Sequence, residues 1–191
     1  MILMETLYMK TEKMLVVSDI HGALDGAEIL LDALNVHHPS LLLCLGDILY
    51  HGPRNDLPSS YAPKKVIEIM NGLEVPLIAV RGNCEAEVDQ MVLNFPVTSD
   101  YNIVPWGNRL IFMSHGHVYG PDKLPKMKEG DIFLSGHTHI PVCEKKDGVY
   151  LLNPGSVSLP KNGHPCSYGL FDETGFTVYT KDHEAYMHID L

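Results

Sequence analysis

Met14-Leu15-Val16-Val17-Ser18-Asp19-Ile20-His21 is the stretch from which the rest of the chain is read. Four apolar residues run without alternation into a polar segment. That is the pattern of a strand buried on both faces, with polar residues at its C-terminal end. Just downstream, Ala27, Leu30, Leu31 and Leu34 recur at i, i+3, i+4 and i+7. This spacing predicts a helix from about Leu24 to Leu34 that lays one apolar stripe on a sheet. Leu41-Leu42-Leu43-Cys44-Leu45 repeats the buried-strand pattern and again ends in a polar pair, Gly46-Asp47. The unit is strand, helix, strand.

Working outward, Tyr50 to Pro63 is broken by Gly52-Pro53, Leu57-Pro58 and Ala62-Pro63 and reads as a surface loop long enough to carry function. A helix is expected from Lys64 to about Gly72, with Val66, Ile69 and Met70 inward. Pro76-Leu77-Ile78-Ala79-Val80 is a third buried strand that delivers Arg81-Gly82-Asn83-Cys84, and a helix is expected to begin near Glu85. The second half turns to short strands: Arg109–Ser114, Asp131–Ser135, Val142–Glu144, Gly148–Leu152, Ser167–Phe171 and Phe176–Thr180. Lys146-Asp147-Gly148 is a hairpin turn. An α/β half followed by a mostly β half predicts two sheets packed face to face with helices outside, a layered α/β sandwich.

The 191 residues suit one α/β domain, expected over 14–191, with 1–13 as an extension ahead of the first strand. With 14 Lys and Arg against 24 Asp and Glu, the formal charge is −10, which argues against non-specific nucleic-acid binding. It leaves room for a phosphate ester whose charge is met by bound divalent cations. Cys44, Cys84, Cys143 and Cys166 are scattered without a C-x-x-C pair, so we expect a reduced, cytoplasmic protein. Met1-Ile2-Leu3-Met4 is interrupted by Glu5, with no secretory pattern after it, and no apolar run approaches the ~20 residues of a membrane span.

The chemistry is carried by where the polar residues fall. Asp19 and His21, then Asp47, Asn83, His115, and finally His137 and His139 each follow an apolar strand. In open α/β sheets the strand C-termini share an edge where ligands bind, so all seven side chains are expected to converge. Two carboxylates, four imidazoles and an amide form a mixed N/O set without the thiolates of a closed structural zinc site. If Asp47 bridges, one ion takes Asp19, His21, Asp47 and His139, and the other takes Asp47, Asn83, His115 and His137. Two ions ~3.5–4 Å apart suit phosphoryl chemistry, turning a bridging water into hydroxide and clamping phosphate oxygens for in-line attack. Taken singly, Asp-x-His and Gly-Asp are common in surface turns. Gly136-His137-Thr138-His139 is more specific, because two imidazoles after a buried strand cost free energy unless they bind something.

Asp19-Ile20-His21, Gly46-Asp47, Gly82-Asn83, Ser114-His115-Gly116-His117 and Gly136-His137-Thr138-His139 together resemble the motif series of the calcineurin-like metallophosphoesterases. His51-Gly52-Pro53-Arg54-Asn55, Tyr61-Ala62-Pro63, Arg81-Gly82-Asn83-Cys84 and Asn153-Pro154-Gly155-Ser156 are similar to the small bacterial and archaeal phosphodiesterases of the YfcE type. This resemblance implies a four-layer α/β sandwich with two mixed sheets and divalent manganese as the usual activating metal. It also implies hydrolysis of small phosphate diesters and a homo-oligomer. It carries the seven metal ligands over residue for residue, with His115 preferred to His117, which is left to the surroundings of the site or to substrate.

One position departs from the family. Where many members have a histidine after the motif asparagine, thought to protonate the leaving alkoxide, this chain has Cys84. A thiol with an unperturbed pKa of ~8.5 is protonated at pH 7 but is a poorer donor than imidazolium. Cys84 either takes part in that step or is a small filler, with water or a nearby group acting instead. Arg54 either reaches over the site to pair a phosphate oxygen or bonds loop carbonyls. Asn153-Pro154-Gly155-Ser156 is expected to support the His137/His139 loop or the mouth of the pocket. His37, His38, His164, His183 and His188 read as surface residues, with His164 a candidate for the cleft edge. Ligand chemistry also admits iron, zinc, cobalt or nickel. The competing functions are a phosphomonoesterase on the same ions, and a non-catalytic scaffold resembling the small retromer subunit, in which such donors tend to be lost.

Overall fold

The computed structural model describes residues 13–191, so all but Lys13 of the expected extension lies outside the described residues. Three parallel strands, β1 (Met14–Val17), β2 (Leu41–Cys44) and β3 (Leu77–Ala79), form the half predicted from the opening motif. Helix α1 (Leu24–His37) links the first two, and α2 (Pro63–Asn71) leads to the third. Helix α1 runs three residues beyond the apolar stripe because it stops only where His38 turns left-handed (φ 48°) and its N–H reaches the Leu34 carbonyl. Pro63 opens α2, in the first turn, where a backbone N–H has no intrahelical partner to lose. Helix α3 (Glu87–Val92) begins two residues later than expected, with the Asp89 carboxylate accepting from Ala86 N–H at 2.6 Å.

The second half holds β4 (Tyr101–Trp106), β5 (Arg109–Ser114), β6 (Ile132–Leu134), β7 (Val142–Lys146), β8 (Val149–Asn153), β9 (Ser167–Asp172), β10 (Gly175–Thr180) and β11 (Ala185–Asp190). One sheet has the order β11-β10-β9-β1-β2-β3 and the other β4-β5-β6-β8-β7, both mixed. The β7–β8 hairpin turns at Asp147 (φ 50°) and Gly148 (φ 85°), the two left-handed residues a tight hairpin needs. Strands β4 and β11 are additions to the expected set. Both lie at sheet edges, where β4 tolerates Pro105 and where burial is too weak to write a clear apolar pattern.

The uninterrupted apolar runs are explained by burial on both faces. Leu15 and Val17 pack with Ala27, Leu30 and Ala33 of α1 and with Val66 and Met70 of α2. Met14 and Val16 point the other way, joining Leu43 and Leu45 against Ile111, Met113, Ile132, Leu134 and Leu152 of the second sheet. Each such side chain contributes about 1.5–3 kcal/mol by leaving water. Polar residues therefore cannot enter these strands and collect at their ends. The outer face of the second sheet, with Phe112, Phe133, Val149 and Leu151, is covered by Tyr119 and Met127 from an irregular segment. Pro121, Pro125 and several glycines keep that cover from becoming a helix.

Candidate metal centre

The seven predicted donors come together where the parallel strands of the two sheets end. Asp19 and His21 follow β1, Asp47 follows β2, Asn83 follows β3, His115 follows β5, and His137 and His139 follow β6. Asp19, His21, Asp47, His137 and His139 all have positive φ, between 53° and 67°. For residues with a Cβ this conformation costs free energy and clusters at functional sites. The chain can turn this sharply because Gly46 (φ 92°) and Gly82 pack backbone to backbone. A Cβ on Gly46 would strike the Gly82 amide, and one on Gly82 would strike the Asp47 carboxylate.

Asp19 is fully buried, and its two oxygens have different tasks. Oδ2 accepts from Ser18 Oγ at 2.6 Å and from His137 N–H at 3.0 Å, which fixes the carboxylate. Oδ1 has no hydrogen-bond partner and faces His139 Nε2 at 3.2 Å and His21 Nε2 at 3.5 Å. His21 donates from Nδ1 to the Tyr50 carbonyl (2.8 Å) and His139 from Nδ1 to the Leu159 carbonyl (2.6 Å). Neutral rings held in this tautomer turn both Nε2 lone pairs toward each other, 3.1 Å apart. Lone pair faces lone pair beside an orphaned carboxylate oxygen, so the site asks for a cation.

A second group forms on the other side of Asp47. His115 donates from Nδ1 to the Leu45 carbonyl at 2.7 Å, leaving Nε2 free. That nitrogen lies 3.1 Å from Asn83 Oδ1, 3.2 Å from His137 Nδ1 and 3.5 Å from Asp47 Oδ1. Asn83 turns its amide nitrogen to the Cys84 sulfur (3.2 Å), which leaves its oxygen toward His115. Asp47 faces this group with Oδ1, while its Oδ2 is 3.7 Å from His21 Nε2. Among the described residues, Asp19, His21 and His139, and separately Asp19, Asp47 and His115, each bring three donor atoms close enough for one ion. The donor set is hard to borderline and suits divalent ions.

The electrostatics show a site that draws positive charge, a proton on His21 included. Burial works to raise the Asp19 carboxyl, but the imidazoles of His139 and His21 overcome it and hold the group well below the usual range. For His21 burial pulls the pKa down and the Asp19 carboxylate more than reverses it. Burial and then the neighbouring His115 push His137 down to about 4, so its ring is neutral and able to act as a ligand at pH 7. Cys84 is driven well above the usual thiol range by burial and then by Asp47, which keeps it a thiol.

Glu85 is the residue that sequence reading missed. Its Oε2 accepts from Asp47 N–H (2.8 Å) and Gly82 N–H (2.5 Å), and its Oε1 from Ile48 N–H (2.7 Å). One carboxylate thus ties the loop bearing Asp47 to the loop bearing Asn83. Burial, then Asp47, pushes it up to about 7. From the sequence it looked like an acid opening a helix, and only the late start of α3 frees it. Behind the His137 turn, Asn153 Nδ2 donates to the Gly136 carbonyl and to Thr138, while Ser156 and Ser158 hold the Asp19 carbonyl.

In front lies a small polar cleft lined by Asp47, Asn83, Cys84, His137 and His139 together with Arg54 and Lys161. Arg54 is exposed and makes no hydrogen bond to loop carbonyls among the described residues, which leaves its guanidinium free to face the cleft. Lys161, which carries no motif in the sequence, is a second cation there. His117 stands outside both donor groups, its exposed ring 5.4 Å from that of His115 and 6.3 Å from that of His137. His164 bonds the Tyr186 hydroxyl instead of lining the cleft.

Fold and site together define a phosphoesterase, and the model of the calcineurin-like phosphoesterase superfamily domain matches residues 13–175. The chain belongs to that superfamily and is a hydrolase of phosphate esters. Among curated proteins it is 46% identical over 166 residues to phosphodiesterase YfcE of Escherichia coli K12, spanning 87% of this chain and 90% of that one. The solved structure of the E. coli phosphoesterase YfcE superposes with a TM-score of 0.91 at 43% identity, covering 93% of this chain and 98% of that one. Vps29 of Chaetomium thermophilum, 18% identical with a TM-score of 0.62 over 94% and 96% of the two chains, shares the fold alone. Membership of a metallophosphoesterase family implies use of divalent metal.

Proposed function

We propose that the protein is a phosphodiesterase that works with two divalent ions, manganese foremost, held by Asp19, His21, Asp47 and His139 on one side and by Asp47, Asn83, His115 and His137 on the other. The observation that carries this reading is Asp47, which turns one oxygen to each of two groups of imidazole and oxygen donors. Ions held there would supply Lewis-acid charge to the phosphate and would lower the pKa of the attacking water, which is the bridging-hydroxide chemistry expected from the sequence. The remaining work falls to side chains. Ser18 and the His137 amide orient Asp19, and the carbonyls of Tyr50, Leu45 and Leu159 fix the tautomers of His21, His115 and His139. Arg54 and Lys161 offset the phosphate charge at the mouth, and His117 stands where it can bond substrate. Cys84, a neutral thiol, gives weak help to a departing alkoxide, so water protonates it and diesters with good leaving groups react fastest.

A diester rather than a monoester is favoured by the likeness to a relative named as a phosphodiesterase. The test is metal-stripped protein re-supplied with manganese, iron, zinc, cobalt or nickel and assayed on a chromogenic diester and its monoester. We expect manganese to restore diester turnover, and a much faster monoester would overturn the diesterase reading. No turnover with two ions confirmed bound would revive the scaffold reading, which the Vps29 fold alone does not favour. We further place residues 14–191 in one domain, because β9 returns from the far end of the chain to pair with β1. A cytoplasmic location is supported by four unpaired cysteines, and no helix among the described residues is long and apolar enough to cross a membrane. A homo-oligomer is expected, to be read from sedimentation.

A further inference from the structure

Beside the polar cleft, and sharing Cys84 with it, lies a wider cavity of about 400 Å³ bounded by Tyr50, Tyr61, Ile67, Val88 and Val92. Its walls come from the Tyr50–Pro63 loop, α2 and α3. The loop wall presents the Tyr50 and Tyr61 rings, and His51, which does not itself line the cavity, packs edge to face on both at 4.7 Å and 5.4 Å. The one ionisable carboxylate in the lining, Asp89, is buried and occupied by the Ala86 amide. No Lys or Arg lines the cavity. Such walls reject a second phosphate and gain free energy from covering apolar surface. Val88 and Val92 are nonetheless exposed, 59% and 39%, and Tyr50 is 42% exposed. An apolar surface this open, continuous with a phosphate site through one residue, fits an occupant that arrives attached to the phosphate.

We infer that the cavity receives one ester arm of the diester, on the Cys84 side of the phosphorus, and that this arm is uncharged and apolar or aromatic. The inference rests on the diesterase reading and names its substrate class. Arms bearing further phosphates, as in dinucleoside polyphosphates, are selected against.

The test separates the cavity from catalysis by using ligands that are not hydrolysed. Phenylphosphonate and methylphosphonate present the same phosphorus head, and their Kd values for the manganese-loaded protein are measured by calorimetry. We expect phenylphosphonate to bind at least tenfold tighter. Val88→Asp, on an exposed position of α3, should reduce that ratio to about twofold or less while leaving the Kd of methylphosphonate within twofold; Val92→Ser serves where the first variant does not fold. Equal affinities in the wild-type protein, or a ratio that survives both substitutions, overturns the inference. A ratio left intact while the sedimentation mass falls also overturns it and assigns the face to contact between copies. Diester turnover is read separately on the same samples. Its absence sinks the function proposed above, whereas the affinity ratio alone decides the cavity.

Discussion

Two groups of histidines in this protein look alike in composition and differ in what their nitrogens face. At the strand ends, His21 and His139 meet Nε2 to Nε2 at 3.1 Å beside an unpartnered Asp19 oxygen. Next to the C-terminal end of α1, His37 and His183 bracket the hydroxyl of buried Tyr168, each at 2.8 Å. That hydroxyl donates to one ring and accepts from the other, so nothing is left over. Backbone strain does not separate the groups, since His183 also has positive φ (63°). What separates them is whether lone pairs outnumber protons. His37 and His183, read from sequence as surface residues, are half-buried structural groups; the strand-end histidines are placed where they could hold an ion.

The comparison breaks most visibly at Asp47, whose two oxygens face different histidines, His115 and His21. Asp47→Asn keeps the shape but removes the charge and one acceptor oxygen. Turnover should fall by far more than the 10- to 100-fold that loss of a supporting contact typically gives, and fewer than two ions should remain by elemental analysis. Near-normal activity with two ions bound would sink the shared assignment. A smaller effect is expected at Glu85. Glu85→Gln replaces one accepting oxygen with a donor that must face the amides of Asp47, Ile48 or Gly82. Metal affinity should drop about tenfold or more, as for other supporting partners of metal ligands, and unchanged affinity would remove Glu85 from the positioning of the site.

That contrast also marks what the sequence makes legible. The convergence of the seven side chains could be read because each follows an apolar strand, as in β1, buried on both faces: Leu15 and Val17 against helices, Met14 and Val16 against the second sheet. Under that demand the first polar residue after the run marks the strand end, and the strand ends share an edge. Glu85, Lys161 and the edge strands β4 and β11 could not be read this way. Glu85 acts through backbone amides, and two of its three partners, Asp47 and Ile48, are distant in sequence and leave no spacing. Lys161 reaches the cleft through a turn whose direction is set by contacts such as its own N–H to the His139 carbonyl. The edge strands carry too little burial to write a period. His37 and His183 were misjudged for a related reason, since their shared partner Tyr168 lies 131 residues from His37.

A third test concerns Cys84, at the join between the polar cleft and the apolar cavity. If water protonates the departing alkoxide, Cys84→Ala should change diester turnover by no more than about threefold, evenly across leaving groups of rising pKa. Cys84→His, which restores an imidazole, should favour poor leaving groups within the 10²- to 10⁴-fold range that a positioned acid supplies. If Cys84→Ala depresses poor leaving groups far more than good ones, the thiol itself takes part.

The smallest effect is expected in the group that is already satisfied. Burial, then the neighbouring His183 and Lys13, hold His37 below its ordinary pKa, with Asp172 opposing them. The folded state therefore prefers the neutral ring. The stability this preference supplies is fully present above about pH 6.5, the unfolded value, and is lost as pH falls through the lowered folded value. Solvent reaches much of the ring, so screening keeps the contribution modest. In metal-stripped protein, where the strand-end donors titrate identically in both variants, His37→Gln should flatten the fall in Tm between pH 7.5 and pH 5 by about a degree or two. A steeper fall in the variant would reverse the sign and mean that the Tyr168 network favours a charged ring, which would make this group too a seeker of positive charge and erase the distinction drawn from its geometry.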